Sequence, residues 1–390
     1  LVHAPRTRSG VWLTTRGGEM AGSRAGRDRH PRVSAAALGL AVVLVVVVCA
    51  PRFATYRHID PGDIALTPQP NGWFLELDDG SPIGRYSFDN YSYIAYVDEF
   101  RGEFDRYPIY GPWIWRLLPS WLAAQTPIDD PTVAFAVISL TFLVGGALAL
   151  VATSARNGLD RRGQMIVGAL YAVSFPMLWY GTSGYVDGPL MAMLCVGLFA
   201  IQSRRWWLYL LLLPVGFLVK ESYILIVPVA LAYQWARSRR PRDWLPTLVA
   251  SIVIVAATWF GIRWLLPTPR VLDWIPRLPR LRWNLSRPEA VGSLLLTFGV
   301  AVPCAVVEVR HRWRTRLQDP ELWSEDLHLV VGLAAGFLVA VHGFLTAYAD
   351  GRHAWTTYPF AAILAASYLV RRWKVGPRSG LDDVAEGVAV

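Results

Sequence analysis

The sequence has few charged residues for its length, and this shortage excludes an ordinary soluble globular chain. Only 17% of its 390 residues are charged, whereas soluble domains carry about a quarter. Hydrophobic residues make up 54% and come in blocks, without a regular alternating or helical stripe. The block Val33–Ala50 carries no charge, and about 18 such residues suffice to cross the hydrocarbon core of a bilayer. The sequence therefore predicts an all-α polytopic membrane protein.

Cysteine and short catalytic motifs are also scarce. The three cysteines, Cys49, Cys195 and Cys304, lie in or at the end of apolar blocks and form no CxxC pair or metal-ligand spacing. We expect them to be small buried apolar residues. The chain contains no G-x-S-x-G, Walker A or H-E-x-x-H pattern. Serine-hydrolase, P-loop and zincin chemistries therefore have no support.

The net charge of +9 does not indicate a nucleic-acid partner, because the basic residues cluster just outside the apolar blocks. That distribution is the positive-inside bias of membrane proteins. It predicts a multi-pass protein of the plasma membrane with both termini in the cytosol. The basic segments assigned to the cytosolic side are RNGLDRR (156–162), SRR (203–205), RSRRPR (237–242), VRHRWRTR (309–316) and RRWK (371–374).

The apolar blocks predict about ten transmembrane helices within one domain, residues 33–370. The blocks are Val33–Ala50, Pro131–Thr153, Met165–Tyr180, Pro189–Ile201, Trp206–Val219, Tyr223–Ala236, Leu245–Leu266, Val291–Val307, Leu327–Ala347 and Phe360–Val370. Residues 1–32 are predicted to be a disordered basic cytosolic tail, with Met20 as a plausible start, and residues 371–390 a second cytosolic tail. A secretory signal peptide over Arg24–Ala50 is the less favoured alternative.

A long polar segment, residues 51–125, is predicted to form the first extracytoplasmic loop. Within it, Trp73–Phe88 alternates apolar and polar residues around Asp79-Gly80, which predicts a short hairpin. DNYSYIAYVDEFRG (89–102) follows and predicts a short helix with Asp89 near its N-cap. Tyr110–Ala124 is rich in Trp and bounded by Pro, which favours a helix in the membrane interface.

Asp89 is the candidate catalytic residue. A carboxylate at the start of a helix above the bilayer could take a proton from a hydroxyl during group transfer. Tyr93 and Tyr96 share a helical face with it and could stack on a sugar or flank a lipid chain. A simple N-cap is the alternative. A cluster of acids nearby could bind a divalent cation or form a solvated helix face; it comprises Asp98, Glu99, Glu103 and Asp105.

Other polar residues are predicted on the same side of the membrane. Lys220-Glu221, at the tip of a span, could orient a substrate phosphate or hydroxyl, and Asp187 could line the same cavity or cap a span. In Asp350-Gly351-Arg352-His353, the arginine suits a bidentate phosphate contact and the histidine could titrate. An external basic loop could hold an anionic ligand or lipid phosphate; its arginines are Arg270, Arg277, Arg280, Arg282 and Arg287.

Several of these segments resemble a known group. Asp89 and Tyr93 followed by YPIYGPWIWRLLP (107–119) look like the first external loop of GT-C type glycosyltransferases, with Arg116 in an Arg-Leu-x-Pro-like tail. GFLVKESYILIVP (216–228) is similar to a Lys-Glu loop of bacterial members, and RHAWTTYP (352–359) to their late Arg…Pro loop. The Ala-, Arg-, Val- and Trp-rich composition is typical of a high-GC, actinobacterial-like source.

The resemblance implies a membrane glycosyltransferase that uses a polyprenyl-phosphate sugar as donor and a lipid or glycan of the cell envelope as acceptor. It implies that Asp89 is the general base on the acceptor hydroxyl, that Arg352 contacts the donor phosphate, and that the anomeric carbon inverts. This chain departs from the pattern in its long insertion before Asp89 and in having no acidic pair there, so no cofactor is certain and a divalent cation is possible. The alternatives are a transporter or flippase of a lipid-linked glycan and a non-catalytic membrane partner.

Overall fold

The computed structural model describes residues 32–55, 64–69, 72–77, 88–103, 112–267, 275–315, 320–346 and 350–374. Fifteen α-helices dominate these residues. They are α1 Ala35–Thr55, α2 Phe88–Arg101, α3 Leu118–Ala124, α4 Pro131–Arg156, α5 Arg161–Ala172, α6 Phe175–Tyr180, α7 Asp187–Gln202, α8 Trp206–Val219, α9 Ile226–Arg237, α10 Pro241–Leu265, α11 Leu278–Leu285, α12 Pro288–Phe298, α13 Ala301–Thr315, α14 Pro320–Thr346 and α15 Tyr358–Lys374. Three 3-10 turns cover Trp113–Trp115, Glu221–Leu225 and Gly351–Thr357. The predicted tails lie outside the described residues, apart from Arg32 and the last residues of α15.

Four helical segments in the described part of the chain are long and apolar enough to cross a membrane: Ala35–Phe53, Pro131–Arg156, Pro241–Leu265 and Asp326–Thr346. A fifth is obtained if α12 and α13, which meet at 57°, count as one span. Helices α7 and α8 are apolar but shorter. The helical class is therefore confirmed, whereas a count of ten spans remains a prediction.

Two of the predicted spans are interrupted. The block Met165–Tyr180 forms two helices, because α5 ends at Ala172 and Ser174 begins α6 by accepting a hydrogen bond from the backbone N–H of Met177 at 3.3 Å. Pro176 fits the first turn of α6, where its missing N–H leaves no bond unmade. The block Val291–Val307 breaks at Gly299, whose φ of +45° suits glycine. The sequence predicted one span over each block, and the structure divides each block into two helices.

A hairpin lies just before the stretch Trp73–Phe88 for which the sequence predicted one, and overlaps that stretch in its second strand. Strands β1 (Ile64–Gln69) and β2 (Gly72–Leu77) pair antiparallel, with Ile64 opposite Leu77 and Gln69 opposite Gly72. Two residues therefore connect the strands, and the predicted turn at Asp79-Gly80 lies outside the described residues. The Asn71-Gly72 dipeptide beside the connection was the better turn signal. In a sheet of two strands both strands are edge strands, so β1 tolerates Pro68, which has no backbone N–H to donate.

A stripe of small side chains packs α1 into the helix bundle. Ala37, Ala41, Val45 and Cys49 recur every fourth residue, and each is fully buried, so one face of α1 lies against α4 and α5. Gly168 of α5 allows the close approach, because a Cβ there would stand 3.0 Å from the Cβ of Ala41. The other two cysteines are also unpaired, and Cys195 is buried while Cys304 is half-buried.

Polar side chains from the predicted cytosolic segments meet at one end of the bundle. Asn157 Nδ2 donates to Gln202 Oε1 at 2.9 Å, and Gln202 Nε2 lies 2.7 Å from His328 Nε2. Nearby in the fold, buried Glu308 accepts from Arg312 Nε at 2.8 Å and from Arg371 Nη2 at 2.5 Å. The loops predicted on the other side of the membrane gather at the opposite helix ends, where the cavity described below lies.

Glycines on one face of α14 position the 3-10 turn Gly351–Thr357. A Cβ on Gly336 would come within 2.9 Å of the backbone of Thr357, and one on Gly343 would come within 2.7 Å of the ring of His353. The turn can therefore lie directly against the helix backbone, as small residues permit between membrane helices. This packing fixes the place of Arg352, which the turn carries.

Candidate functional site

A cavity of about 740 Å³ opens where the loops of one end of the bundle converge. Its charged and polar lining comes from segments far apart in sequence and includes Asp89, Arg116, Lys220, Glu221, Arg352 and His353. Its apolar wall comes from α8, the turn after it, α10 and α14: Phe217, Ile224, Trp259, Ile262, Leu338 and Val339. Six of the nine residues that the sequence singled out as site residues therefore line one space.

Asp89 lies in the first turn of α2, with its carboxylate at the cavity. Oδ1 accepts a hydrogen bond from Trp113 Nε1 at 2.7 Å, and Oδ2 lies 2.7 Å from Arg352 Nη2. Burial alone would favour the protonated acid, but the nearby cations, Arg352 first, outweigh it and lower the pKa of Asp89. The carboxylate is therefore ionised at neutral pH, held by two donors that a simple helix cap would not require.

Arg352 serves two carboxylates at once. Besides Asp89, its Nε lies 3.3 Å from Asp350 Oδ1, and its guanidinium carbon lies 4.4 Å from the ring centroid of Tyr185. Asp350 also accepts from the Arg352 backbone N–H at 3.0 Å, which begins the 3-10 turn. Burial raises the pKa of Asp350, although Arg352 opposes that effect. The arginine thus has its orientation set before any ligand arrives.

A second ion pair forms beside the first. Arg116 Nε donates to Glu221 Oε2 at 2.8 Å, its Nη2 pairs with the other oxygen of Glu221, and its Nη1 donates to the hydroxyl of Tyr93 at 2.9 Å. Burial would raise the pKa of Glu221, but the bidentate contact with Arg116 outweighs it and lowers that pKa. Tyr93 itself is buried behind Arg116 and does not line the cavity.

Lys220 lies between α8 and the following 3-10 turn, where the backbone is extended. Its Nζ lies 2.6 Å from Oδ1 of Asp187 at the start of α7. Both side chains are nearly buried, and Lys220 lines the cavity while Asp187 lies behind it. The end of α8 therefore places the Lys220 ammonium group at the cavity, where Asp187 behind the wall already pairs with it.

His353 lines the cavity but does not titrate near neutral pH. Burial, together with the adjacent charges of Arg352 and Lys220, lowers its pKa from 6.5 to about 3. The imidazole is therefore neutral at physiological pH. The His353 ring packs directly against Gly343 of α14. A small shift of α14 would therefore move this part of the cavity wall.

Other predicted residues lie away from the cavity. Tyr96 is buried, its hydroxyl donates to the Ile114 carbonyl at 3.2 Å, and its ring stacks on Phe100 with centroids 4.4 Å apart. No group of His, Cys, Asp or Glu suited to a metal ion occurs in the described residues. In the acidic cluster, Asp98 is buried while Glu99 and Glu103 are exposed, and Asp105 lies outside the described residues.

The basic loop lies beside the cavity without lining it. Helix α11 is held against the end of α14, because Arg277 donates its backbone N–H to the Leu345 carbonyl at 2.9 Å and Asn284 Nδ2 donates to the Phe344 carbonyl at 2.8 Å. The guanidinium of Arg287 lies 4.7 Å from the ring centroid of Trp283. None of Arg277, Arg280, Arg282 and Arg287 reaches the cavity wall, and Arg270 lies outside the described residues.

Sequence reasoning missed an aromatic and cationic group on the cavity wall. The guanidinium carbon of Arg263 lies 3.6 Å from the ring centroid of Trp259 and 4.2 Å from that of Trp115. Trp259 and Arg263 are four residues apart at the end of an apolar block, so they share a helix face; that spacing was the available signal. Trp113, the donor to Asp89, was likewise not singled out.

Comparisons with known proteins find no matching family model, no matching curated protein and no matching solved structure. The class of protein is therefore defined by the fold and the site, without a known relative. The described residues form a helical protein with four or five apolar helices of membrane-spanning length, and a cavity at one end combines ion pairs with an apolar wall.

Proposed function

We propose that this chain is a membrane glycosyltransferase that moves a sugar from a polyprenyl-phosphate donor to a lipid or glycan acceptor of the cell envelope. In this proposal the chain crosses the plasma membrane about ten times, both termini are cytosolic, and the cavity faces the extracytoplasmic side. The observation that carries the proposal is an Asp89 carboxylate with a lowered pKa on the wall of a cavity that is lined by both charged and apolar side chains.

Asp89 is the proposed general base. The acceptor hydroxyl oxygen forms a bond to the anomeric carbon of the donor, and its proton passes to a carboxylate oxygen of Asp89. The bond between the anomeric carbon and the donor phosphate breaks, and its electron pair leaves with the polyprenyl phosphate. A carboxylate so placed contributes about 10²- to 10⁴-fold to such a transfer. Attack from the face opposite the phosphate inverts the anomeric carbon, as the resemblance implies.

The charge of the wall supports an anionic donor. Four cations line the cavity, Arg116, Lys220, Arg263 and Arg352, against two carboxylates, Asp89 and Glu221, so these six residues carry a net charge of 4 − 2 = +2. An excess of positive charge beside a low-dielectric wall attracts an anion. A phosphate group attached to a sugar fits this end of the cavity.

The apolar end supports a lipid-linked donor. Leu338 of α14 and Ile224 line the cavity yet are 69% and 48% exposed. The cavity therefore continues onto the apolar outside of the bundle, beside Phe217 and Ile262. A ligand with a charged head and a long hydrocarbon tail would satisfy both ends, because each end matches one part of it.

A transporter or flippase of a lipid-linked glycan is the second candidate function. Transport proteins place ionisable residues deep in their spans, along the path of the ion or substrate. The ion pairs of this cavity instead come from helix ends and the turns between them: α2, residue 116, the turn after α8 and the turn before α15. That position favours chemistry at the membrane surface. A non-catalytic partner would have no need of an ionised carboxylate at the cavity.

The proposal is tested by incubating the purified protein in nanodiscs with a panel of polyprenyl-phosphate sugars and an envelope-lipid extract, and by measuring transfer of labelled sugar. We expect transfer with the wild type and none with Asp89→Asn. The matched control is Asp160→Asn, since Asp160 caps α5 by accepting from Gly163 N–H at 3.0 Å, away from the cavity. Equal transfer by Asp89→Asn and wild type would exclude the assignment.

A further inference from the structure

Arg263 is held in a fixed place at the mouth of the cavity. It lies in the last turn of α10, and its guanidinium is next to the rings of Trp259 and Trp115, 3.6 Å and 4.2 Å from their centroids. Both rings are themselves anchored. Trp115 Nε1 donates to the Leu266 carbonyl at 3.2 Å, and Trp259 packs edge-on against Phe217 with centroids 5.7 Å apart. The aromatic contacts therefore set the plane of the guanidinium.

The other three cations of the cavity already have carboxylate partners. Arg116 pairs with Glu221, Lys220 with Asp187, and Arg352 with both Asp89 and Asp350; these pairs involve all four carboxylates at or just behind the wall. Within the described part of the chain, Arg263 differs in having no carboxylate at ion-pair distance, whereas a buried Nε without a hydrogen-bond partner is common to Arg263 and Arg352. The positive charge that remains available to a ligand is therefore concentrated at Arg263.

We propose that Arg263 binds the phosphate group of the lipid-linked donor, held for that contact by Trp115 and Trp259. The identity of the ligand rests on the function proposed above. A guanidinium stacked on aromatic faces keeps its edge for hydrogen bonds, and that edge matches two oxygens of a phosphate. A phosphate at Arg263 would lie beside Ile262, also on the cavity wall, with the sugar toward Asp89 and the hydrocarbon chain toward the apolar side.

This assignment changes the role of Arg352. The resemblance gave Arg352 the contact with the donor phosphate, but its guanidinium is shared between Asp89 and Asp350. Two carboxylates already balance the charge of Arg352, and its unpartnered Nη1 is buried, whereas Arg263 has no carboxylate at ion-pair distance among the described residues. Arg352 is therefore a positioning residue for Asp89, and Arg263 makes the contact with the substrate phosphate.

Binding of a sugar-free probe tests the proposal. The affinity of polyprenyl phosphate and of the polyprenol of equal length is measured by native mass spectrometry of the protein in detergent. We expect the wild type to prefer the phosphate, and Arg263→Gln to lose about tenfold or more of that affinity, the size of one or two charge-assisted hydrogen bonds. The affinity for polyprenol should be the same in the wild type and in Arg263→Gln.

Two further variants make the test specific. Arg239→Gln removes an arginine that stacks on Trp235 at 3.7 Å outside the cavity, and should bind as the wild type does. Arg263→Lys keeps the charge but not the planar fork, so it should lose affinity less than Arg263→Gln. If Arg263→Gln proves unstable, wild-type affinity in Arg263→Lys would still contradict the paired contact.

The outcomes separate this proposal from the general one. Wild-type affinity for polyprenyl phosphate in folded Arg263→Gln would overturn the role of Arg263 and leave sugar transfer possible. Loss of affinity in that variant, with no sugar transferred by the wild type, would support the phosphate site and contradict the glycosyltransferase. A wild type that binds polyprenol as tightly as polyprenyl phosphate would contradict both.

Discussion

Asp89 and Arg352 form an ion pair, Oδ2 to Nη2, at 2.7 Å, although 263 residues separate them in the chain. The pair ties the first turn of α2 to the 3-10 turn before α15 and so closes the cavity on one side. It also sets the protonation of the proposed base, because Arg352 is the strongest of the cations that lower the pKa of Asp89. The pair is thus both a structural link and an electrostatic control.

Removing Arg352 should change the pH dependence of sugar transfer. In Arg352→Gln the pKa of Asp89 rises, because burial still favours the neutral acid and its main opposing charge is gone. A base must be ionised, so the acid limb of the profile of kcat/KM against pH should move to higher pH. Arg352→Lys should move it less. An acid limb that stays in place in Arg352→Gln would contradict the electrostatic role of Arg352.

Breaking the Arg116–Glu221 pair should destabilise the fold. In Glu221→Gln the guanidinium of Arg116, nearly buried, keeps its bond to Tyr93 but loses its carboxylate. Leaving one buried charge unpaired costs about 3 kcal/mol. The thermal midpoint in detergent should fall accordingly. Asp243→Asn is the control, since the Arg242–Asp243 pair is exposed and its nitrogen and oxygen are 3.8 Å apart. Equal midpoints for the two variants would refute this account.

His353 should make the stability depend on pH. Its pKa is about 3 in the folded protein and about 6.5 when unfolded, so between these values the unfolded chain binds a proton that the folded one does not. Stability therefore falls as pH is lowered through that window, by up to about 2 kcal/mol from pH 7 to pH 5 for this one group. His353→Gln should show a flatter curve of melting temperature against pH. Parallel curves for the two proteins would show that His353 contributes nothing.

Gly343→Ala should disturb the site through packing alone. The added Cβ would lie 2.7 Å from Cγ of His353, so the 3-10 turn that carries Arg352 must move. We expect a lower melting temperature and weaker sugar transfer. Gly261→Ala is the control, because it lies in α10 with open space around the new Cβ and should be neutral or slightly stabilising. Wild-type transfer and stability in Gly343→Ala would show that the turn adapts freely.

Much of the helical pattern could be predicted from the sequence, because long uncharged blocks allow few other structures. The breaks could not be placed so well: Ser174 begins α6 by a side-chain hydrogen bond, and Gly299 ends α12 with a positive φ. Both depend on single residues inside an otherwise continuous apolar block. The hairpin over Ile64–Leu77 was not predicted, although Asn71-Gly72 beside its connection carries a turn signal like that of Asp79-Gly80, which lies outside the described residues.

The site was partly predictable for a related reason. Asp89, Lys220 and Arg352 stand out as charges at the ends of apolar blocks. Block ends that are predicted on the same side of the membrane are expected to lie at the same end of the helix bundle. Sequence could not show that three of the four cavity cations would pair with carboxylates, because those pairs join segments far apart in the chain. It therefore gave no reason to separate Arg352, which is paired twice, from Arg263, which is held by two tryptophans.

The most direct test of the account is sugar transfer by Asp89→Asn in nanodiscs, measured beside Asp160→Asn with the donor that the wild type uses. The account predicts a loss of at least about 10²-fold in transfer for Asp89→Asn, with a folded protein that still binds polyprenyl phosphate, and wild-type transfer for Asp160→Asn. Transfer at the wild-type rate by Asp89→Asn would contradict the central claim that Asp89 is the catalytic base.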